Sequence, residues 1–288
     1  MASGTAAGRG MTAFVLGGGG VMGAAEVGML QALVEAGIRP DLVVGTSVGA
    51  INGALVATDP TAGAVGRLRA VWEDLAERGV FAGSVLARLG TLVRTRTHLH
   101  SREPLRELLE EHLPVRTFGE LAIPFQCVAS SIERAAEHWF TDGPLVDAVL
   151  ASCAVPGLLP AVEIDGEHYL DGGLVHSIPV GRAVALGAET IYVLHVGRID
   201  RPLRPPARPW EVGLVAFEIA RRHRFAADLA ALPPGVTAHV LPSGGAATPG
   251  AGDLRYRDFS GVPARIARAH SAARDYLGRS GAAGAGTT

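Results

Sequence analysis

A three-layer α/β fold with a mostly parallel central sheet is what this sequence predicts, and three observations carry that reading. Two short apolar stretches, 11–16 and 42–45, each run into a glycine-bearing turn and then into a helical apolar pattern. Further apolar strands, 123–131 and 190–196, are separated by helical segments. The core must be aliphatic, because 48% of the 288 residues are apolar but only 5% aromatic, while 38 glycines let elements approach closely. The length fits one large domain over 11–277, with a flexible tail before it and a disordered one over 278–288.

The first unit is a strand over 11–16, the loop Gly17-Gly18-Gly19-Gly20-Val21-Met22-Gly23, and a helix ending near Gly37. Gly18-x-Gly20-x-x-Gly23 matches a dinucleotide fingerprint, so a nucleotide-binding enzyme is one reading of the loop. The acidic residue that should follow the second strand is absent from 60–68, although Asp41 lies near the wanted spacing. A structural turn is a second reading. The third is an oxyanion hole built from consecutive backbone N–H groups, and the Gly45-x-Ser47-x-Gly49 segment just downstream favours it.

Val43-Val44-Gly45-Thr46-Ser47-Val48-Gly49-Ala50 reads as strand, tight turn and helix with Ser47 at the corner. Glycines at 45 and 49 leave room for the helix to pass close to the strand. The turn lifts the Ser47 hydroxyl clear and aims the first free helix amides, Val48 among them, at a reacting group. That geometry suits acyl transfer.

Apolar spacing continues in helices over 62–78, 84–94 and 103–113, a helical insertion expected to cap acyl-chain access. The basic segment 94–100 connects them; His98 and His100 alone make a poor metal site. Strands over 123–131 and 136–140 form a hairpin, and a helix follows from 145 to about 150. Pro156 and Pro160 then break the helix, so that Pro156, Leu158 and Leu159 build a rigid apolar wall. A small hairpin around Asp165-Gly166 delivers Asp171-Gly172-Gly173.

Four features in this order resemble the patatin-like phospholipase family: the glycine loop at 18–23, Gly45-x-Ser47-x-Gly49, Ala151-Ser152-x-Ala154-x-Pro156-Gly157-x-x-Pro160, and Asp171-Gly172-Gly173 followed by Pro179. The resemblance covers roughly 12–196, and 253–277 is similar to the family's closing helix. It implies a patatin-like fold, Ser47 as nucleophile, Asp171 as its base without a histidine, and Gly18, Gly19, Gly20 and Val48 around the oxyanion. It also implies hydrolysis of lipid carboxyl esters through an acyl-enzyme. Three departures stand out: Met22 occupies a position usually basic in the family, His176 and Ser177 stand where an asparagine is common, and Ala129-Ser130-Ser131 replaces Ala-Thr-Asp. Met22 leaves the loop without its usual positive charge.

A carboxylate titrating near ~3.9 is a weak base at neutral pH, so the loop amides and helix end should carry much of the rate. His176 is the rival base, with Asp171 as its orienter, while His195 reads as a strand-end packing residue. The helix over 210–232 interleaves Phe217, Ile219 and Phe225 with Arg221, Arg222 and Arg224, which suits either packing on the sheet or contact with lipid or a second subunit. The proline- and arginine-rich 198–209 reads as a loop, 236–241 as the last strand, 243–252 as a glycine-rich loop and 260–277 as the closing helix.

A net charge of −2 argues against nucleic acid as a partner but not against a neutral lipid surface. Cys127 and Cys153 read as free core thiols, and nothing in the first eleven residues resembles a secretory signal. The expectation is therefore a lipid or small-ester substrate, no metal or organic cofactor, a cytoplasmic setting with transient membrane contact, and room for a homo-oligomer. A non-catalytic lipid- or protein-binding module on the same scaffold is the alternative of a different class.

Overall fold

A computed structural model describes residues 10–78, 97–196, 202–203, 205–207, 209–245, 259 and 261–281. Among these, eight strands form one sheet in the order β5-β6-β3-β2-β1-β7-β8, with β4 on the other edge of β3. The strands are β1 (Thr12–Leu16), β2 (Leu42–Thr46), β3 (Phe125–Ser131), β4 (Ala136–Phe140), β5 (Val162–Ile164), β6 (Glu167–Asp171), β7 (Thr190–Leu194) and β8 (Thr237–Val240). All pairings from β3 through β2, β1 and β7 to β8 are parallel; β4, β5 and β6 join antiparallel. The mostly parallel sheet expected from the sequence is present.

Alternation along the strands divides the core between two faces. Phe14, Leu16, Val43, Cys127 and Leu194 look toward α1 (Ala24–Glu35), α2 (Val48–Thr58), α3 (Ala62–Arg78), α4 (Glu103–His112) and α5 (Leu145–Ser152). Ala13, Val15, Val44, Ile191 and Val193 look the other way, toward Val180 and Ala183 of α7 (Val180–Ala185) and Phe225 of α8 (Pro209–Ala230). Ahead of α7 comes α6 (Gly173–His176), a single turn with no periodic signal in the sequence, packed against α8 and β3. The closing helix α9 (Val262–Ser280) packs extensively on α1 and runs three residues past the expected end at 277. The result is helices, sheet, helices.

Local signals were reliable where the backbone is constrained. Asp165 and Gly166 both have positive φ, 52° and 80°, which suits the two-residue β5–β6 hairpin and makes an Asp-Gly pair the natural choice. The two cysteines are buried and free. The described helices of the 62–113 insertion, α3 and α4, bury Leu68, Trp72, Leu75, Leu105 and Leu108 in the main core. The helix expected over 84–94 lies outside the described residues, as do half of 198–209, most of 243–252 and both tails except Gly10 and residues 278–281.

Candidate active site

The site begins at the corner between β2 and α2. Ser47 has φ 54° and ψ −125°, a strained conformation for a residue with a Cβ. The close approach the sequence implied is real: a Cβ on Gly45 would lie 2.4 Å from Gly49 O, and one on Gly49 would lie 2.3 Å from Leu16 O. Only glycine lets α2 press so tightly on β2 and β1. The strain is held by neighbours, since the Ser47 N–H donates to Ser152 Oγ at 2.8 Å and Thr46 Oγ1 donates to the His176 carbonyl at 2.7 Å.

Asp171 reaches this corner through β3. On one edge of β3, Thr46 pairs with Val128 and Asp171 with Ala129, while β4 occupies the other edge at both positions. The C-terminal ends of β2 and β6 therefore meet head-on along a single strand edge. The end of α5 ties the two together: Ser152 Oγ accepts from Ser47 N–H, Ser152 O from Gly172 N–H at 3.2 Å, and Ala154 O from Asp171 N–H at 2.9 Å. Ser130 Oγ adds a bond to Asp171 O at 2.9 Å, so this departure from Ala-Thr-Asp supports the strand end. Ser152 was visible in the sequence as part of a motif; its bridging bond was not.

Asp171 is only 4% exposed. Its Oδ1 accepts the Gly173 N–H at 2.7 Å, while Oδ2 is buried with no hydrogen bond of normal geometry among the described residues. Burial raises its pKa to about 6; the nearby Ser47 hydroxyl and then the Gly173 amide offset part of that rise. The sequence-based expectation of an ordinary carboxylate is corrected here: loss of water makes this group a stronger base than an exposed aspartate.

The glycine loop lies against Ser47. A Cβ on Gly18 would sit 3.4 Å from the Ser47 Cβ and 3.4 Å from Ser177 Oγ. The Gly18 N–H, however, is already donated to Ser177 O at 2.8 Å, which removes it from the four expected oxyanion donors. Backbone demand decided this, because a buried amide takes the first carbonyl within reach. The amides of Gly19, Gly20 and Val48 donate to no described residue. Gly19 could not carry a side chain without displacing Val196, whose Cγ2 would be 1.9 Å from its Cβ. Beneath the loop, buried Glu26 accepts from Asn52 Nδ2 at 2.8 Å, and burial holds its pKa well above the ordinary carboxylate value. Met22 is half-buried against the core.

His176 is held elsewhere. Its Nε2 contacts Glu137 and lies 2.8 Å from Arg224, and its ring is 5.6 Å from that of Trp139. Burial lowers its pKa, with Glu137 opposing. His195 packs beside the Phe225 ring at 5.8 Å. Of the expected apolar wall, Leu159 is buried, Leu158 half-buried and Pro156 exposed. Leu99 and His100 donate backbone N–H groups to Gly157 O and Leu158 O, which ties the 62–113 insertion to that wall. Asp74 of α3 and Glu111 and His112 of α4 gather within metal-ligand reach of one another, where the two described helices of the insertion meet.

Known proteins are similar to this chain. A family model described as patatin-like phospholipase matches residues 14–184, more than half of the chain, a span that includes Gly18, Gly19, Gly20, Ser47, Val48 and Asp171. The chain belongs to the patatin-like phospholipase family. Among similar family proteins are "Lysophospholipase nte1" of Aspergillus terreus, 34% identical over 199 residues, and "Patatin-like phospholipase domain-containing protein 7" of Rattus norvegicus, 33% identical over 192. "Patatin-like phospholipase domain-containing protein 6" of Mus musculus is 32% identical over 190 residues. Each alignment covers 65% of this chain but only 12–14% of the relative, so the chain matches a small part of much longer proteins.

Proposed function

We propose that this patatin-like protein is a serine acyl hydrolase that cleaves carboxyl esters of lipids through Ser47 and Asp171. The observation that carries the reading is the head-on meeting of β2 and β6 on one edge of β3, which delivers a strained serine and a buried carboxylate to the same place. Asp171 accepts the hydroxyl proton as Ser47 attacks the ester carbonyl, and the proton then passes to the leaving alcohol. Water, deprotonated by the same carboxylate, attacks the acyl-enzyme carbonyl, and the proton returns to Ser47 Oγ as its bond to the acyl carbon breaks and the acid is released. The amides of Gly19, Gly20 and Val48 and the N-terminus of α2 stabilise the charge on the carbonyl oxygen.

Exposed apolar side chains lie on the segments that flank the base. Phe217 reaches within 2.9 Å of where a Gly173 Cβ would be, and Phe217, Val155 and Leu174 are 37%, 38% and 45% exposed. Such a rim suits an acyl chain and peripheral contact with a lipid surface. No helix among the described residues is long and apolar enough to cross a membrane. The lysophospholipase name of one relative brings single-chain phospholipids into the substrate class alongside phospholipids and neutral esters. Within this reading the 62–113 insertion shapes chain access, through its bonds to Gly157 and Leu158.

A panel of phospholipids, lysophospholipids and soluble acyl esters, run on wild type beside Ser47→Ala, tests the proposal. Turnover confined to wild type, together with fluorophosphonate labelling at Ser47, is expected. Equal turnover by both proteins, or none by either, removes it.

A further inference from the structure

The glycine loop carries no charge of its own: residues 16–25 contain no ionisable side chain, and Glu26 beneath them is kept toward its neutral form by burial. A cation nevertheless sits at its back. Arg221, on the inward side of α8, is only 6% exposed. Its Nε donates to Ser177 Oγ at 3.1 Å, its Nη2 to Val196 O at 2.5 Å and its Nη1 to Glu218 at 3.1 Å. Ser177 is the residue whose carbonyl fixes the Gly18 amide, and Val196 is the residue against which Gly19 packs. Glu218 is shared with Arg222 at 2.9 Å, so its charge does not belong to Arg221 alone.

We propose that Arg221 is a positioning residue for the oxyanion-binding turn, clamping Ser177 and Val196 so that the Gly19 and Gly20 amides face Ser47. This role rests on the acyl-hydrolase reading. A guanidinium suits the task because its planar fork serves three acceptors in fixed directions, whereas an ammonium is a single point. Shielded from solvent at 6% exposure, its charge also acts on a negative oxygen nearby with less screening than it would in water. Both effects are felt chiefly when the carbonyl oxygen becomes an anion, so they belong in kcat and not in substrate affinity.

The test uses a soluble acyl ester with the full chain and the variants Arg221→Met, Arg221→Lys and Ser177→Ala. Arg221→Met is expected to lower kcat by about 100-fold while KM moves less than about 3-fold, in line with misplacing an oxyanion donor. Arg221→Lys should recover part of that loss. Ser177→Ala, which removes one acceptor and keeps the cation, should lower kcat by roughly 10-fold. Inhibition by phenylboronic acid, a mimic of the tetrahedral anion, should weaken in parallel with kcat. Wild-type kcat in Arg221→Met at unchanged Tm overturns the proposal, as does a loss that falls equally on KM. If Arg221→Met does not fold, wild-type kcat in both Arg221→Lys and Ser177→Ala overturns it instead. Absence of any Ser47-dependent turnover in wild type overturns both readings, whereas full wild-type activity with indifferent Arg221 variants overturns this one alone.

Discussion

Asp171 continues the edge that Thr46 leaves: Thr46 lies opposite Val128 and Asp171 opposite the next residue, Ala129. The residue after Thr46 is Ser47, so two positions 124 apart in sequence become neighbours because two strands end against each other. Under the proposed reading, that junction and the groups that hold it in place should govern both turnover and stability.

The strain at Ser47 gives a stability signature separate from activity. Ser47→Ala and Ser47→Gly should both abolish turnover, but glycine tolerates φ 54° with ψ −125° where alanine does not. Chemical denaturation is expected to show Ser47→Gly more stable than Ser47→Ala by ~1 kcal/mol. Equal midpoints would mean that the corner relaxes freely.

Asp171→Asn should lower kcat by ~10²–10⁴-fold, while His176→Ala retains most activity because its ring is engaged with Glu137 and Arg224. In wild type, kcat/KM should rise as pH passes about 6, where the carboxyl becomes a base.

The same group makes stability pH-dependent. Its folded pKa of about 6 lies above the ordinary 3.8, so the folded state binds the proton more tightly than the unfolded state. The favourable contribution is present below the ordinary value and is lost as pH rises from there through 6, a change of about 3 kcal/mol. Asp171→Asn carries no charge to bury. Its thermal midpoint should exceed that of wild type at about pH 8 and approach it near pH 4. A constant difference across that range would show that burial does not control this carboxyl.

Ser152→Ala leaves the buried Ser47 N–H without its acceptor, at a cost of ~1–3 kcal/mol. Because the same segment also holds the backbone of Asp171 and Gly172, kcat should fall further than KM rises. Denaturation curves and steady-state kinetics on one preparation would separate the two effects.

Gly45→Ala places a methyl 2.4 Å from Gly49 O and 2.9 Å from Ala50 Cα, both backbone atoms that cannot rotate away. The helix must move off the strand, and destabilisation of more than ~3 kcal/mol with loss of Ser47 labelling is expected. Normal labelling in a stable Gly45→Ala protein would contradict the tight corner.

Much of this molecule was written in local sequence. Gly45, Ser47 and Gly49 announced the corner because only small residues satisfy its sterics, and Asp165-Gly166 announced the hairpin because its backbone angles demand such residues. The mostly parallel sheet followed from apolar strands separated by helical periods. Tertiary structure decided what depends on competition among distant groups. It spent the Gly18 amide on Ser177 O, leaving Gly19, Gly20 and Val48, and it placed Arg221 behind a loop more than 190 residues earlier. It also moved the pKa of Asp171 upward, because desolvation is set by whatever packs around a carboxyl and not by its neighbours in the chain. Steric limits on a few adjacent residues can be read along the sequence; hydrogen-bond partners and dielectric surroundings come into being only when the chain has closed on itself.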